Sequence, residues 1–302
     1  MSEAADRELR HLPPAAARLA GAFARPKRVA VLCVVALAVL GWVYLALMLA
    51  GHEGPLSALG PGMGLLDWAP RMLAVLCRAD FGVAAGHGGA ALSGIALVAL
   101  MWGAMTLAMM LPSAAPMIFT YAEIADTAAR KGERVVSPFV LAAGYLAVWL
   151  GFVAAATLVQ VDLARLMLLN AGMASASELF SGAIFIAAGA YQFTALKHAC
   201  LTQCQRPFPF FLANWATTPR GVFKLGLKQG LYCVGCCWAM MLVMFAVGVM
   251  NVIWMAALGI VMTFEKIGTG KRLTYAVGGV LIAVGVWFVA GAVVAHWPAR
   301  TM

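Results

Sequence analysis

Five of the seven cysteines in this sequence lie between residues 200 and 237. They are Cys200, Cys204, Cys233, Cys236 and Cys237. Thiolates are soft ligands that favour copper(I), and thiolates combined with imidazole also suit zinc. The cluster therefore predicts a metal site, with copper(I) favoured over zinc. The alternative interpretation is that these cysteines are buried as small hydrophobic residues.

The spacing of these cysteines assigns them to two helix faces. Residues advance by about 100° each along an α-helix, so Cys233, Cys236 and Cys237 fall within an arc of roughly 100°. Met240 continues this stripe. The two earlier cysteines are four residues apart, a spacing that lets both thiols bind one ion. Since five cysteines exceed one tetrahedral site, either two centres exist or one cysteine pair passes metal to the other.

Residues of other types are secondary candidates near the cysteines. His198 would add an imidazole ligand. Glu265 is either a carboxylate ligand or proton acceptor beside the sulfur site, or the partner of Lys266 in an ion pair at the membrane edge. Met105 and Met109 form a thioether stripe that we expect to face the thiols, although methionine also fills irregular protein cores.

The composition predicts that helices crossing a membrane carry this site. Of 302 residues, 64% are hydrophobic and only 11% are charged, with a mean hydropathy of +0.91, which excludes an ordinary soluble domain. The apolar runs are long enough for helices, so we predict an all-α, polytopic bundle in a lipid bilayer. The expected spans are 29–50, 91–111, 136–160, 178–197, 229–247, 252–270 and 274–295. Their number is seven, or six if the short segment 252–270 is re-entrant.

The basic residues predict the orientation of this bundle. The net charge of +9 does not indicate nucleic-acid binding, because the basic residues cluster at the ends of the spans. On the seven-span count all 21 lie on the cytoplasmic side except Arg71, Arg78, Arg165 and Arg300. The amino terminus is thus expected in the cytoplasm and the protein in the bacterial inner membrane, with the cysteines in the cytoplasmic half.

The chain divides into four expected regions. Residues 1–28 form a basic cytoplasmic tail without a cleavable signal, and residues 29–50 form the first span. Residues 51–90 form an outer loop with an amphipathic segment, and residues 91–297 form the main helical membrane domain. Within that domain we expect Pro112 and Pro116 to break the second helix, with a short surface helix from Met117 to Arg130.

Several separated motifs resemble a known family. They are Ala-Met-Met-Leu-Pro at 108–112, Ala-Gly-Tyr-Leu-Ala-Val-Trp at 143–149, Tyr-Gln at 191–192 with Lys197 and Cys200-Leu201, Tyr-Cys-Val-Gly-Cys-Cys-Trp at 232–238, Gly-Val-Met-Asn at 248–251, and Glu265-Lys266. In this order they are similar to those of the predicted metal-binding integral membrane proteins of bacteria, a domain of unknown function. The resemblance covers about residues 95–272 and implies a membrane location and a bound metal, without an established reaction.

Three functions remain open at this stage. The first is metal handling or a metal-assisted reaction, with a metal donor or acceptor protein as a further partner; whether the protein is an enzyme stays open. The second is a thiol-disulfide oxidoreductase, which the expected cytoplasmic position disfavours because that compartment is reducing. The third is a small-solute or metal-ion transporter, which would need polar residues through both halves of the bundle.

Overall fold

The computed structural model describes residues 26–50, 57, 61–66, 92–166, 168–169, 175, 177–268 and 270–296. The basic tail up to residue 25 and most of the expected outer loop, with Cys77, lie outside the described residues. The described chain is almost wholly helical and contains no β-strand, which confirms the all-α prediction. Its α-helices are α1 (Pro26–Ala50), α2 (Leu92–Met105), α3 (Leu111–Arg130), α4 (Pro138–Arg165), α5 (Glu178–Tyr191), α6 (Ala195–Gln205), α7 (Pro207–Ala213), α8 (Pro219–Val247), α9 (Val252–Ile267) and α10 (Arg272–His296).

Five helical stretches of the described chain are long and apolar enough to cross a membrane. They are α1, the continuous stretch of α2 and α3, α4, α8 and α10. Helices α5 and α6 together would make a sixth, bent by 64° at the break between them. Helix α9 has 16 residues, which at about 1.5 Å each reach roughly 24 Å and fall short of a hydrocarbon layer. This count of up to six spans agrees with the prediction in which the segment 252–270 is re-entrant and does not cross the membrane.

Side-chain caps explain where several helices begin. Ser177 accepts a hydrogen bond from the amide of Phe180 at the start of α5, and Thr194 accepts one from Lys197 at the start of α6. Asn251 caps α9 in the same way. These groups satisfy backbone donors that have no partner within the helix. The cap at Thr194 restarts the helix after the bend, so the span predicted for 178–197 is not one straight helix but belongs to a bent pair.

The expected break at Pro112 is also wrong, because α2 continues into α3 through a π-helical segment, Thr106–Met110. Proline lacks an amide hydrogen, so Pro112 cannot donate to the carbonyl of Ala108 one turn earlier. The indole nitrogen of Trp42 in α1 donates to that carbonyl instead, at 3.1 Å. The chain therefore stays helical beyond Pro112 and Pro116 as far as Arg130.

Helix α8 lies at the centre of the bundle and packs against α4, α5, α6 and α9. Two glycines bring α4 and α8 into close contact. A Cβ atom at Gly144 would lie 2.2 Å from the carbonyl oxygen of Phe223, and one at Gly226 would lie 2.1 Å from that of Leu141. Small residues allow this approach of two helix backbones. It carries Tyr145 of α4 to the cysteines of α8.

Candidate metal centre

Cys233 of α8 is contacted by polar side chains from two other helices. Its Sγ atom lies 3.0 Å from the hydroxyl oxygen of Tyr145 in α4 and 3.0 Å from Nζ of Lys266 in α9. The Tyr145 hydroxyl also donates to the carbonyl oxygen of Met110, at 3.2 Å, and Lys266 donates to Oγ of Ser113 at 2.7 Å. All five side chains are buried. The thiol is thus held by polar groups inside an apolar bundle.

The neighbouring cysteines of α8 direct their thiols toward the same helix turn. The thiols of Cys236 and Cys237 donate to the carbonyl oxygen of Cys233, at 3.1 and 2.8 Å. The Cys237 thiol also lies 3.7 Å from the thioether sulfur of Met110. The predicted stripe on α8 is therefore buried and close to a methionine of another element.

Helix α6 brings the two earlier cysteines to this turn of α8. The thiols of Cys204 and Cys236 lie close enough to interact electrostatically. Cys200 lies beside Gly235, since a Cβ atom at that glycine would be 2.7 Å from the Cys200 sulfur. Cys204 is partly exposed, whereas Cys236 is buried. Helix α6 thus brings Cys200 and Cys204 beside the cysteine stripe of α8, and each of the five clustered cysteines is a free thiol.

As the side chains stand, no group of three or more histidine, cysteine or acidic residues in the described part of the chain is arranged to hold a metal ion. The thiols of Cys236 and Cys237 turn back to a carbonyl of their own helix. A bound ion would require these thiols to rotate toward a common point and to lose their protons. The donor types suit a soft metal ion.

The secondary candidates are distributed differently from the sequence-based expectation. Glu265 forms an ion pair with Lys197, and its Oε2 atom lies 2.8 Å from Nζ of that lysine. Of the two alternatives for Glu265, the ion pair with Lys266 is therefore not formed, because adjacent helix residues point about 100° apart. His198 packs its ring edge to face with Tyr275, with ring centroids 5.2 Å apart. It lies two residues before Cys200, roughly on the opposite side of α6.

The methionines also differ from the expectation. Met240 is buried in α8 as its stripe predicts. Met109, which was expected to face the thiols, packs against Gly259 of α9, where a Cβ atom would lie 3.5 Å from its Cγ atom. Met110 contacts Cys237 instead. A π-helical turn contains an extra residue, so the register calculated for a regular α-helix is shifted here. Sequence reasoning missed Met110 and Ser113, although Pro112 beside them was a signal of irregular helix.

The fold and the cluster define a helical protein with apolar helices of membrane-spanning length and buried soft-metal donors. The chain belongs to the PpoB2 family, described as a copper chaperone, whose family model matches residues 99–288. The match contains the described parts of the cluster on α3, α4, α6, α8 and α9. This match supports a copper-related family, in line with the copper(I) prediction from the soft ligand types. No curated protein and no solved structure matches the chain.

Proposed function

We propose that this protein binds copper(I) at the thiol and thioether cluster of α8 and hands it to a partner protein. The observation that carries the proposal is the contact between the Cys237 thiol and the Met110 thioether beside Cys233. Thiolate and thioether together are soft donors typical of copper(I) sites, and zinc takes thioether ligands poorly. Membership in a copper chaperone family supports the same metal.

The ligands of this site are drawn first from Cys233, Cys237 and Met110, because the Cys237 thiol adjoins the Met110 thioether and donates to the backbone of Cys233 one turn earlier. Cys236 lies near Cys204 across the contact of α6 and α8, and Cys200 lies against the neighbouring Gly235. These three thiols form a second set, which exchanges copper with the first. Met240 is a reserve ligand on the same stripe. Glu265 and His198 stay outside this first set, because Glu265 pairs with Lys197 and the His198 ring packs against Tyr275.

Cys204 is the entry point for copper in this proposal. It is partly exposed, whereas Cys233, Cys236 and Cys237 are each no more than 3% exposed. An incoming ion therefore meets α6 before it reaches α8. A donor or acceptor protein with its own soft ligands would exchange copper at Cys204.

The length and the flanking charges of the same helices support a membrane position. Helix α8 has 29 residues and is about 43 Å long, which exceeds a hydrocarbon layer of roughly 30 Å. Its first turns carry the exposed residues Arg220, Lys224 and Lys228, which we assign to the cytoplasmic surface of the inner membrane. The tail 1–28 then lies in the cytoplasm, the loop 51–90 lies outside, and the domain 91–297 holds copper in its cytoplasmic half.

This orientation is tested by labelling in intact cells. In a variant that retains only Cys77 among its cysteines, an impermeant maleimide should label that residue from outside, because the loop 51–90 is external. An epitope at the amino terminus should be digested by protease only in inside-out vesicles. Labelling of Cys77 from the cytoplasmic side would contradict the proposed topology and would indicate the opposite orientation.

Copper binding is tested by elemental analysis of the protein purified without oxygen in detergent and reconstituted with reduced copper. The parent should hold near-stoichiometric copper, and the combined Cys233→Ser and Cys236→Ser variant should lose it. Cys33→Ser is the matched control, because Cys33 lies on α1 and outside the cluster. A parent that binds neither copper nor zinc would contradict the proposal.

The proximity of Cys204 and Cys236 favours a second candidate, thiol-disulfide exchange. Two adjacent thiols on different helices can form a disulfide when a quinone or another disulfide accepts the two electrons and protons. A protein that binds no metal but forms this disulfide reversibly would support the oxidoreductase. The copper chaperone is supported if the fully reduced protein retains copper and if protein isolated from cells contains no such disulfide.

A further inference from the structure

Lys266 is a buried lysine placed against a cysteine rather than a carboxylate. Its side chain belongs to a residue only 6% exposed, and its Nζ atom donates to Cys233 Sγ and to Ser113 Oγ. The charge of a buried ammonium group is costly unless an anion or strong acceptors surround it. Burial of Lys266 at this position therefore destabilises the fold, which indicates that the residue has a role at the metal centre.

The carboxylate nearest in sequence does not balance this charge. Glu265 pairs with Lys197, and among the described residues no carboxylate forms an ion pair with Lys266. The groups that surround Nζ are instead sulfur and hydroxyl atoms. The sulfur ligands are therefore the groups that balance the positive charge of Lys266.

We infer that Lys266 is the residue that selects a monovalent ion at this site, an inference that rests on the proposed copper binding. Metal ligation by cysteine uses thiolates, each of which brings one negative charge, while the thioether of Met110 brings none. With Cys233 and Cys237 as thiolates, a copper(I) ion and the ammonium of Lys266 make the centre neutral. A zinc ion at the same ligands leaves one uncompensated positive charge inside the bundle, which is penalised there.

Three variants separate the charge of Lys266 from its hydrogen bonds. Lys266→Gln keeps a hydrogen-bond donor and removes the charge, whereas Lys266→Arg keeps the charge. Lys224→Gln is the matched control, because Lys224 is exposed on α8. Each purified protein is reconstituted with a mixture of silver(I) and cadmium(II), which are isoelectronic and differ in charge. A second sample receives a mixture of copper(I) and zinc. Bound metal is counted after competition between the two ions of each pair.

The parent, Lys266→Arg and Lys224→Gln should prefer the monovalent ion of each pair. Lys266→Gln should lose at least about tenfold of that preference, in line with the effect of changing groups that adjoin metal ligands. An unchanged preference in Lys266→Gln would overturn the inference while leaving copper binding intact. A parent that binds no copper would instead overturn the proposed function itself.

A second pair of variants tests the charge even if Lys266→Gln fails to fold. Ser113→Asp keeps Lys266 and adds a carboxylate at its hydrogen-bond partner, so the ammonium is already neutralised. It should shift the preference toward the divalent ion of each pair. Ser113→Asn has the same size without the charge and should keep the parent's preference. Equal preferences in these two variants would also overturn the inference.

Discussion

Lys197 and Glu265 form a buried ion pair, 2.8 Å long, that joins α6 to α9. Their side chains are 0% and 2% exposed. Gln205 at the end of α6 donates to the backbone carbonyl of Glu265, also at 2.8 Å, so α6 is attached to α9 near both of its ends. These two contacts hold α6 after the bend at residues 192–194 and keep Cys204 against α8.

Removal of one partner of this pair should destabilise the protein strongly. Lys197→Met leaves a buried carboxylate without its counter-charge, which costs about 3–5 kcal/mol in comparable pairs. The combined Lys197→Met and Glu265→Met variant should recover most of this loss, because it buries no charge. Thermal unfolding in detergent measures both.

The matched control is Arg130→Ala, which breaks an exposed pair with Asp126. Exposed pairs contribute at most about 1 kcal/mol, so this variant should unfold close to the parent temperature. If Lys197→Met also unfolded there, the pair would not hold α6 in place.

Gly144→Ala should separate α4 from α8. The added Cβ atom would lie 2.2 Å from a backbone oxygen of α8, which cannot move without displacing the helix. Overpacking of this kind costs about 1–3 kcal/mol or more. We expect a lower unfolding temperature in detergent and a partial loss of bound copper, since Tyr145 moves with α4.

Gly151→Ala provides the comparison within the same helix. Nothing lies within 4 Å of a Cβ atom at Gly151, and alanine favours helix over glycine by about 1 kcal/mol. This variant should be as stable as the parent or more stable. Destabilisation of both variants to the same extent would show that the close contact at Gly144 is not the cause.

Met110→Leu should weaken copper(I) binding by about tenfold or more, because it replaces the thioether beside Cys237 with a hydrocarbon of similar volume. Competition with a chelator specific for copper(I) measures this affinity. Met109→Leu is the control, since Met109 packs against Gly259. The two residues are adjacent in sequence, and equal effects would remove Met110 from the ligand set.

Tyr145→Phe should keep copper bound and lower its affinity by less than about tenfold. The phenol is not a soft donor, but its hydroxyl lies 3.0 Å from Cys233, and one hydrogen bond contributes about 1 kcal/mol. The same copper(I) competition measures the change, with the unfolding temperature as the check that the fold persists. Complete loss of copper from a folded Tyr145→Phe protein would contradict this supporting role.

The amino-acid sequence by itself determined the helical architecture and the cysteine stripe. Apolar runs of sufficient length predict helices because backbone groups in lipid must be satisfied within the segment. The stripe of Cys233, Cys236 and Cys237 depends only on the 100° advance of one regular helix, so their common turn was predictable. The soft ligand types likewise indicated copper before the family was known.

Only the tertiary structure decided which side chains surround that stripe. The partner of Glu265 is Lys197, 68 residues away, and Lys266 reaches Cys233 across 33 residues. Met110 replaces Met109 at the thiols because the π-helical turn shifts the register. Periodicity describes one helix at a time, whereas these contacts depend on how closely helices approach, on bends between them and on which buried charges must find partners.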